Sequence, residues 1–376
     1  MLIDNEKLKY LAAAVDLDQA GITTARPLDY MAGRLQKRID EARVTPFEEH
    51  DPALRLSPQR LLAGCRSIIV LALPYATAEH PRPSFASGPS GLVARCARGL
   101  DYHCLVENRA ERLVSLIKRE TKSAFSYRIL ADRSPLIERE LGKNAGLGWI
   151  GENCALINGR YGSYTALGTI LLDQEVEADQ PQVKSSCPGC DRCRKACPTG
   201  ALVEPFVLDP YRCLSYLTQA GGVFPRKMRP LLENRIYGCD RCQEACPGND
   251  NAEPSPLKEM GFSFFPAEPL LAPLLYITRK EFDLTVGLTS AGWRGKTTLQ
   301  RNVIIALGNS GDRSAVRPLA RLLENDSRPL IRLHAAWALG RIGGPAAVYA
   351  LEKARQNDPE SAVQIEAVQA LEYGDI

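Results

Sequence analysis

The chain lacks any long apolar run. Its longest, Ser67 to Ala76, is far too short to span a bilayer, and the polar start Met1 to Tyr10, with Asp4 and Glu6, has no signal-peptide core. A soluble cytoplasmic protein without membrane association is expected. Charge imbalance is lacking too: a net charge of +3 and a pI near 8.2 permit a nucleic-acid partner without indicating one. Histidine is scarce, and the four residues His50, His80, His103 and His334 are scattered. No histidine is therefore taken as catalytic, and His103 is read as a helix-start residue bonded locally. With 45% hydrophobic and 24% charged residues the composition is not that of a disordered chain, and 376 residues suffice for two or three domains.

Residues 1–180 alternate helical and strand-like patterns, which predicts an α/β domain. Helices are expected near Asn5 to Val15 and Pro27 to Arg43, then a strand at Ser67 to Pro74. Asp101 is placed to cap a helix reaching Thr121, and Phe125 to Leu130 reads as the next strand. Ser134 as N-cap and Pro135 as first helical residue would put Asp132 between a strand end and a helix N-terminus. Cys154 to Asn158 and Tyr164 to Asp173 look like paired strands turned at Asn158-Gly159, and Glu175 to Ser186 reads as a linker. Residues 256–376 become helical and repetitive. Ala306-Leu307-Gly308 recurs as Ala338-Leu339-Gly340, each followed by a polar turn and a second helix, Ala315 to Glu324 and Ala346 to Arg355. That period predicts HEAT-like stacked helix pairs and an interaction surface.

Cysteine is what the chain has in excess, with twelve residues. In a reducing cytosol, crowding into one short region points to metal. Cys187-x-x-Cys190-x-x-Cys193-x-x-x-Cys197-Pro198 has the spacing of a two-cluster bacterial ferredoxin, whose fourth cysteine serves the other cubane. The second run, Cys239-x-x-Cys242-x-x-x-Cys246-Pro247, is one ligand short because Ile236 stands where its first cysteine belongs; Cys213 can restore the count. The expected sets are Cys187, Cys190, Cys193 and Cys246 for one [4Fe–4S] cluster, and Cys197, Cys213, Cys239 and Cys242 for the other. A pair of structural zinc sites is the alternative, although zinc needs no such crossed run. Cys65, Cys96, Cys104 and Cys154 share no spacing and are taken as packing residues. Residues 181–255 thus form a ferredoxin-like domain with two [4Fe–4S] clusters, a wire that needs an acceptor.

The chain resembles the epoxyqueuosine reductases, which complete queuosine biosynthesis on tRNA. The resemblance runs nearly end to end and is carried by Leu54-Arg55-Leu56-Ser57-Pro58, Gly99-Leu100-Asp101-Tyr102-His103, Asp132 with Glu138 to Asn153, both cysteine runs, Cys213-Leu214-Ser215-Tyr216-Leu217-Thr218-Gln219, and Gly292-Trp293-Arg294-Gly295-Lys296. It implies that residues 1–180 bind cobalamin, reduced through the clusters, and that the substrate is the tRNA anticodon stem-loop carrying epoxyqueuosine at the wobble position. Arg55, Arg95, Leu156, Leu167, Ser215, Cys239 and Asp240 are then the corrin contacts, with Asp132 beside them matching the family's proton donor. Some relatives carry a cysteine where this chain has Ala94, so no side-chain role is expected there. Trp293, Arg294 and Lys296 join an aromatic to two cations, and Arg313, Arg317 and Arg321 form a stripe at helical spacing; both are expected tRNA contacts. A monomer served by an external electron donor completes this expectation. Two other readings stay open: an electron-transfer iron–sulfur protein docking a partner on its repeats, and a corrinoid reductive dehalogenase, against which the absence of a twin-arginine signal and the helical tail argue.

Overall fold

The β-branched run Ser67–Pro74 leaves no polar side to face water, and it forms β2, buried along its whole length. In the computed structural model, which describes residues 3–17, 19–77, 88–132, 134–181, 187 and 189–373, the chain divides into two units. The first comprises Met1–Ala78, Gly99–Tyr211 and Arg241–Phe262; the second comprises Glu79–Arg98, Arg212–Asp240 and Ser263–Ile376.

In the first unit, α1 (Asn5–Ala13), β1 (Ala20–Thr24), α2 (Ala32–Asp40) and α3 (Pro52–Leu56) precede β2. They are followed by α4 (Tyr102–Thr121), β4 (Tyr127–Ala131), α5 (Glu138–Asn144), β5 (Trp149–Ile150), β6 (Leu156–Ile157) and β7 (Thr165–Leu172). The sheet runs β1-β2-β7-β4 with every neighbouring pair antiparallel. Ile68, Val70 and Ala72 of β2 join one apolar core with Leu35, Leu56, Leu141, Leu156 and Leu167. α4 packs against β2, β4 and β7. Its close approach needs Gly168, where a Cβ would lie 2.3 Å from Val106 Cγ1. Beyond the sheet, α6 (Arg192–Ala196), β8 (Leu202–Glu204), β9 (Val207–Leu208) and α8 (Arg241–Glu244) complete the unit, and α6 packs on α8.

Two local expectations are corrected. The helix after β4 begins at Glu138, not Pro135, because the Ser134 hydroxyl accepts the Leu136 N–H and holds a turn ahead of it. The stretch around Leu156 pairs with β5 rather than β7, which is taken on both edges by β2 and β4. The turn after it is held by the Asn158 side-chain oxygen accepting from the Arg160 and Tyr161 N–H groups, and the left-handed residue is Gly162, not Gly159. Residues 182–186 of the expected linker, and His80, lie outside the described residues.

The second unit contains β3 (Leu92–Val93), α7 (Leu214–Gln219), β10 (Arg235–Tyr237), α9 (Leu271–Leu275), α10 (Arg279–Leu284) and the helices α11 (Gly295–Ser310), α12 (Val316–Asn325), α13 (Pro329–Ile342), α14 (Pro345–Asn357) and α15 (Ser361–Tyr373). The repeated Ala-Leu-Gly has a packing reason. A Cβ on Gly308 would meet Ala338 Cα at 2.9 Å, and one on Gly340 would meet Ala370 Cβ at 2.7 Å, so α11, α13 and α15 stack through glycine. Among the described residues no helix is long and apolar enough to cross a membrane.

The apolar stack also encloses His334, which has no exposed surface. Its Nε2 accepts the Phe224 N–H at 3.1 Å, which leaves Nδ1 to donate to the Leu330 carbonyl at 2.7 Å. Burial, with Arg229 adding to it, holds its pKa well below the ordinary imidazole value. The unfolded chain therefore takes up a proton that the folded one refuses. Stability contributed by neutral His334 is present above about pH 6.5, the unfolded value, and is lost as pH falls below it. Thermal unfolding followed by the helical circular-dichroism signal is expected to show a midpoint falling from pH 7 to about pH 5. His334→Gln should be less stable at neutral pH but show a flatter slope; an equal slope in both proteins would assign the acid sensitivity elsewhere.

Candidate active site and thiol cluster

β4 ends at Ala131, and Asp132, the next residue, has φ of 52°, the left-handed region that costs most residues energy but that aspartate tolerates. Its carboxyl is half exposed. Tyr102, the first residue of α4, donates its hydroxyl to Asp132 Oδ2 at 2.5 Å. His103 Nε2 lies 3.5 Å from the same oxygen, and its Nδ1 lies 2.6 Å from Asp101 Oδ1. The two rings stack with centroids 4.2 Å apart. Burial alone would lower the imidazole pKa, but the hydrogen bonds to Asp101 and Asp132 outweigh it and push it to about 9. At neutral pH an imidazolium thus stands between two carboxyl groups. Asp101 does cap α4, as expected, by accepting the His103 N–H. The local bonding expected of His103 is present, and beyond it the ring reaches Asp132, which sequence spacing did not reveal. Because α5 starts only at Glu138, Asp132 is not a cap of that helix.

The thiols in the first unit gather around two one-turn helices. Cys193 lies on α6 and Cys197 caps its C-terminal end, while Cys242 lies on α8 and Cys246 follows it. Burial pushes the Cys193 thiol up to about 11, and negative charge on Cys246, Glu152 and Cys187 adds to the rise. Cys246 is raised by burial too, with Cys187 and Cys190 adding. Cys193 and Cys246 are thus both raised by negative charge on Cys187, Cys193 also by Cys246, and Cys246 also by Cys190. Burial also opposes a Cys197 thiolate, yet hydrogen bonds from the Thr199 hydroxyl and the Ala201, Thr199 and Leu202 N–H groups outweigh it and hold that thiol below its ordinary pKa. The Ala201 N–H donates to Cys197 Sγ at 3.2 Å. Among the described residues no three His, Cys, Asp or Glu side chains are gathered as one metal ion would need. Of the remaining cysteines, Cys65 is core packing, Cys96 and Cys154 are half buried, and Cys104 is exposed rather than packed.

The first unit also carries Arg55, whose Nη1 donates to Glu48 Oε2 at 3.0 Å while its Nε is buried without a partner. Leu156 and Leu167 have their side chains in the apolar core and their backbone in sheet ladders, Leu156 opposite Ile150 and Leu167 opposite Ala72. Just ahead of Leu156, the segment through β5 holds two buried donors with no partner, Trp149 Nε1 and Asn153 Nδ2.

In the second unit Cys213 caps the N-terminal end of α7, which carries Ser215. Arg95, Cys239 and Asp240 converge. The Ala94 N–H donates to the Tyr237 carbonyl at 2.9 Å, the Arg95 N–H donates to Asp240 Oδ2 at 2.8 Å, and a Cβ on Gly238 would lie 2.4 Å from Ala94 Cβ. Trp293 donates to Gln219 Oε1 at 3.0 Å, and Arg294, its guanidinium 4.7 Å from the indole ring, donates to the Gln219 carbonyl at 2.6 Å. Lys296 is half exposed on the first turn of α11. Arg317 and Arg321 are exposed on α12; Arg313 is exposed too but sits on the 3-10 turn preceding that helix.

Residues 55–133 match the family described as epoxyqueuosine reductase QueG, residues 186–249 a 4Fe-4S double cluster binding domain, and residues 295–372 HEAT repeats. The epoxyqueuosine reductase of Bacillus subtilis is 36% identical over 89% of this chain and 86% of its own, and that of Escherichia coli 35% over 89% and 88%. The chain belongs to the epoxyqueuosine reductase family. An epoxyqueuosine reductase solved with an epoxyqueuosine-modified tRNA-Tyr stem loop superposes with a TM-score of 0.92 at 36% identity, covering 98% of this chain and 97% of that one. The Bacillus subtilis structure, with its catalytic aspartate loop swung out of the active site, gives 0.91 at 35% identity, covering 98% of each chain. The reductase fold therefore spans nearly the whole chain, including the iron–sulfur segment and the repeats.

Proposed function

We propose that this reductase converts epoxyqueuosine to queuosine at the wobble position of tRNA, the last step of queuosine biosynthesis. The observation that carries the reading is Asp132, a half-exposed carboxyl in left-handed backbone at a strand end, bonded to Tyr102 and His103. Residues 1–180 supply the chemistry, 181–255 the electron path and 256–376 much of the tRNA surface, in a cytoplasmic monomer fed by an external donor. Cys187, Cys190, Cys193 and Cys246 hold one [4Fe–4S] cluster and Cys197, Cys213, Cys239 and Cys242 the other, an assignment supported by the charge effects of Cys187 and Cys246 on Cys193 and of Cys187 and Cys190 on Cys246, and by the N–H···S bond to Cys197.

The donor set also suits cobalamin. The orphaned Trp149 Nε1, Asn153 Nδ2 and Arg55 Nε are buried donors awaiting acceptors, and the corrin periphery is rich in amide carbonyls. Arg55, Arg95, Ser215, Cys239 and Asp240, with the backbone at Leu156 and Leu167, would hold it, and when bound it supplies the strongly electron-donating centre. Asp132 protonates the oxygen as the carbon–oxygen bond breaks. Tyr102 fixes the carboxyl orientation, and His103 offsets its charge. Anaerobic incubation with epoxyqueuosine-tRNA, cobalamin and a chemical reductant is expected to yield queuosine on nucleoside analysis; no conversion rejects the reading.

For tRNA, Arg294, Lys296 and the exposed Arg313, Arg317 and Arg321 offer the cations, with Trp293 as an aromatic beside the first two. Replacing Arg317 and Arg321 with Gln is expected to weaken stem-loop binding and to reduce the salt slope by about 0.7–0.9 for each phosphate no longer neutralised. Unchanged affinity and slope would leave that stripe a solvated face.

A further inference from the structure

Two carboxyl groups stand beyond the end of β4. Glu138 opens α5, and its Oε1 is sealed from solvent without a hydrogen-bond partner. The Asp132 N–H approaches the same carboxyl, and Asp132, Arg139 and His103 are the charged groups that face it. Burial, reinforced by the Asp132 carboxylate, pushes Glu138 well above the ordinary carboxyl range, against the opposing effects of the Asp132 N–H, Arg139 and His103. Sealing of that unpartnered oxygen favours the protonated form of Glu138, next to a half-exposed carboxyl that reaches solvent.

The chemistry needs such a group. Turning an epoxide into an alkene breaks both carbon–oxygen bonds and releases the oxygen as water: epoxide plus two electrons plus two protons gives alkene plus water. One carboxyl supplies one proton. We propose that Glu138 stores the second proton and hands it to Asp132 for delivery to the departing oxygen. This rests on the epoxyqueuosine reading above. Asp132, which reaches solvent, takes its first proton from there and gives it to the opening epoxide oxygen; it is then a carboxylate, the Glu138 O–H bond breaks, the proton moves to Asp132, and the protonated Asp132 gives it to the hydroxyl that leaves as water. The two electrons come from the external one-electron donor in two steps. Glu138 is reprotonated from solvent through Asp132 once product departs. The left-handed backbone at Asp132 suits this traffic, because it turns one face of the residue to Glu138 through its N–H while its carboxyl meets Tyr102 and His103.

The test uses the purified full chain with its clusters and two variants, Glu138→Gln and Glu138→Asp. Infrared spectroscopy without turnover is expected to show a protonated-carboxyl band at neutral pH that Glu138→Gln lacks. In anaerobic single-turnover reactions with epoxyqueuosine-tRNA, cobalamin and reductant, Glu138→Gln should form queuosine at least about tenfold more slowly, with the deficit widening as pH rises, while Glu138→Asp recovers part of the rate. A wild-type rate and pH profile in Glu138→Gln overturns the proposal. So does an equal, pH-independent loss in both variants, which marks a structural role, or a wild-type spectrum with no band that depends on Glu138. Failure of the wild-type protein to form queuosine would instead reject the proposed reaction, and the infrared result would still judge Glu138.

Discussion

Cys213→Ala is expected to cut the iron content from about eight atoms per chain to about four, with the loss of one cluster's spectral signature and of turnover supported by any electron donor. The thiol sits at the head of α7, half buried, and the scaffold behind it does not depend on it. Arg301, buried on α11, donates to the Leu217, Thr218, Ala220 and Gly222 carbonyls, which gathers the unpaired C-terminal end of α7. Asn302 donates to the Thr218 and Ile236 carbonyls, and the Thr218 hydroxyl accepts the Gly238 N–H immediately before Cys239. One buried clamp therefore fixes the backbone that carries both Cys213 and Cys239, so removing a sulfur leaves the clamp intact. Cys65→Ala provides the contrast: that thiol lies in the apolar core of the first unit, and its loss should cost stability but no iron. Eight irons and unchanged spectra in Cys213→Ala would strike it from the ligand set.

The parts of this arrangement legible in the sequence are those written in local chemistry. The strand Ser67–Pro74 coincides with its expectation because eight residues without an outward polar face can form little else, and Asp101 caps α4 because capping depends on its near neighbours alone. The two cysteine runs were readable for the same reason, since spacing within a tight loop is all a cubane half-site needs. What stayed hidden involves partners distant in sequence. Tyr102 and Asp132 are 30 residues apart and meet because β4 and α4 both pack on β7. Ser134 had the chemistry of an N-cap, but its hydroxyl serves a turn and the helix waits for Glu138. Trp293 and Arg294 read as exposed nucleic-acid contacts, yet each is also tied to Gln219 at the end of α7. Cobalamin left no mark in composition or spacing. Only the resemblance suggested it, and the unpartnered donors around β5 are what the structure adds in support of that proposal.

Asp132→Asn is expected to bind cobalamin and tRNA, retain both clusters and still form queuosine at least about a hundredfold more slowly, the usual worth of a positioned general acid. The substitution isolates the proton. Asparagine occupies left-handed backbone as readily as aspartate, so φ of 52° is not a confounding strain. Its side-chain oxygen can still accept the Tyr102 hydroxyl, and the amide is nearly isosteric with the carboxyl. Two losses remain: the transferable proton of the protonated carboxyl, and the negative charge that its ionised form places beside His103. The second lowers the imidazole pKa from about 9 toward its ordinary value, since the hydrogen bond and charge of Asp132 help to hold it up. His103→Gln separates the two effects. If charge balance were the main contribution of Asp132, the two variants would slow the reaction alike; if the proton is what matters, His103→Gln should keep most of the rate. The measurement is single-turnover conversion after full reduction of the bound cofactor, so that electron delivery does not limit the rate. Reduction itself should proceed at the wild-type rate in Asp132→Asn. Near-normal queuosine formation by that variant would take Asp132 out of the chemistry and leave it a hydrogen-bond anchor for Tyr102.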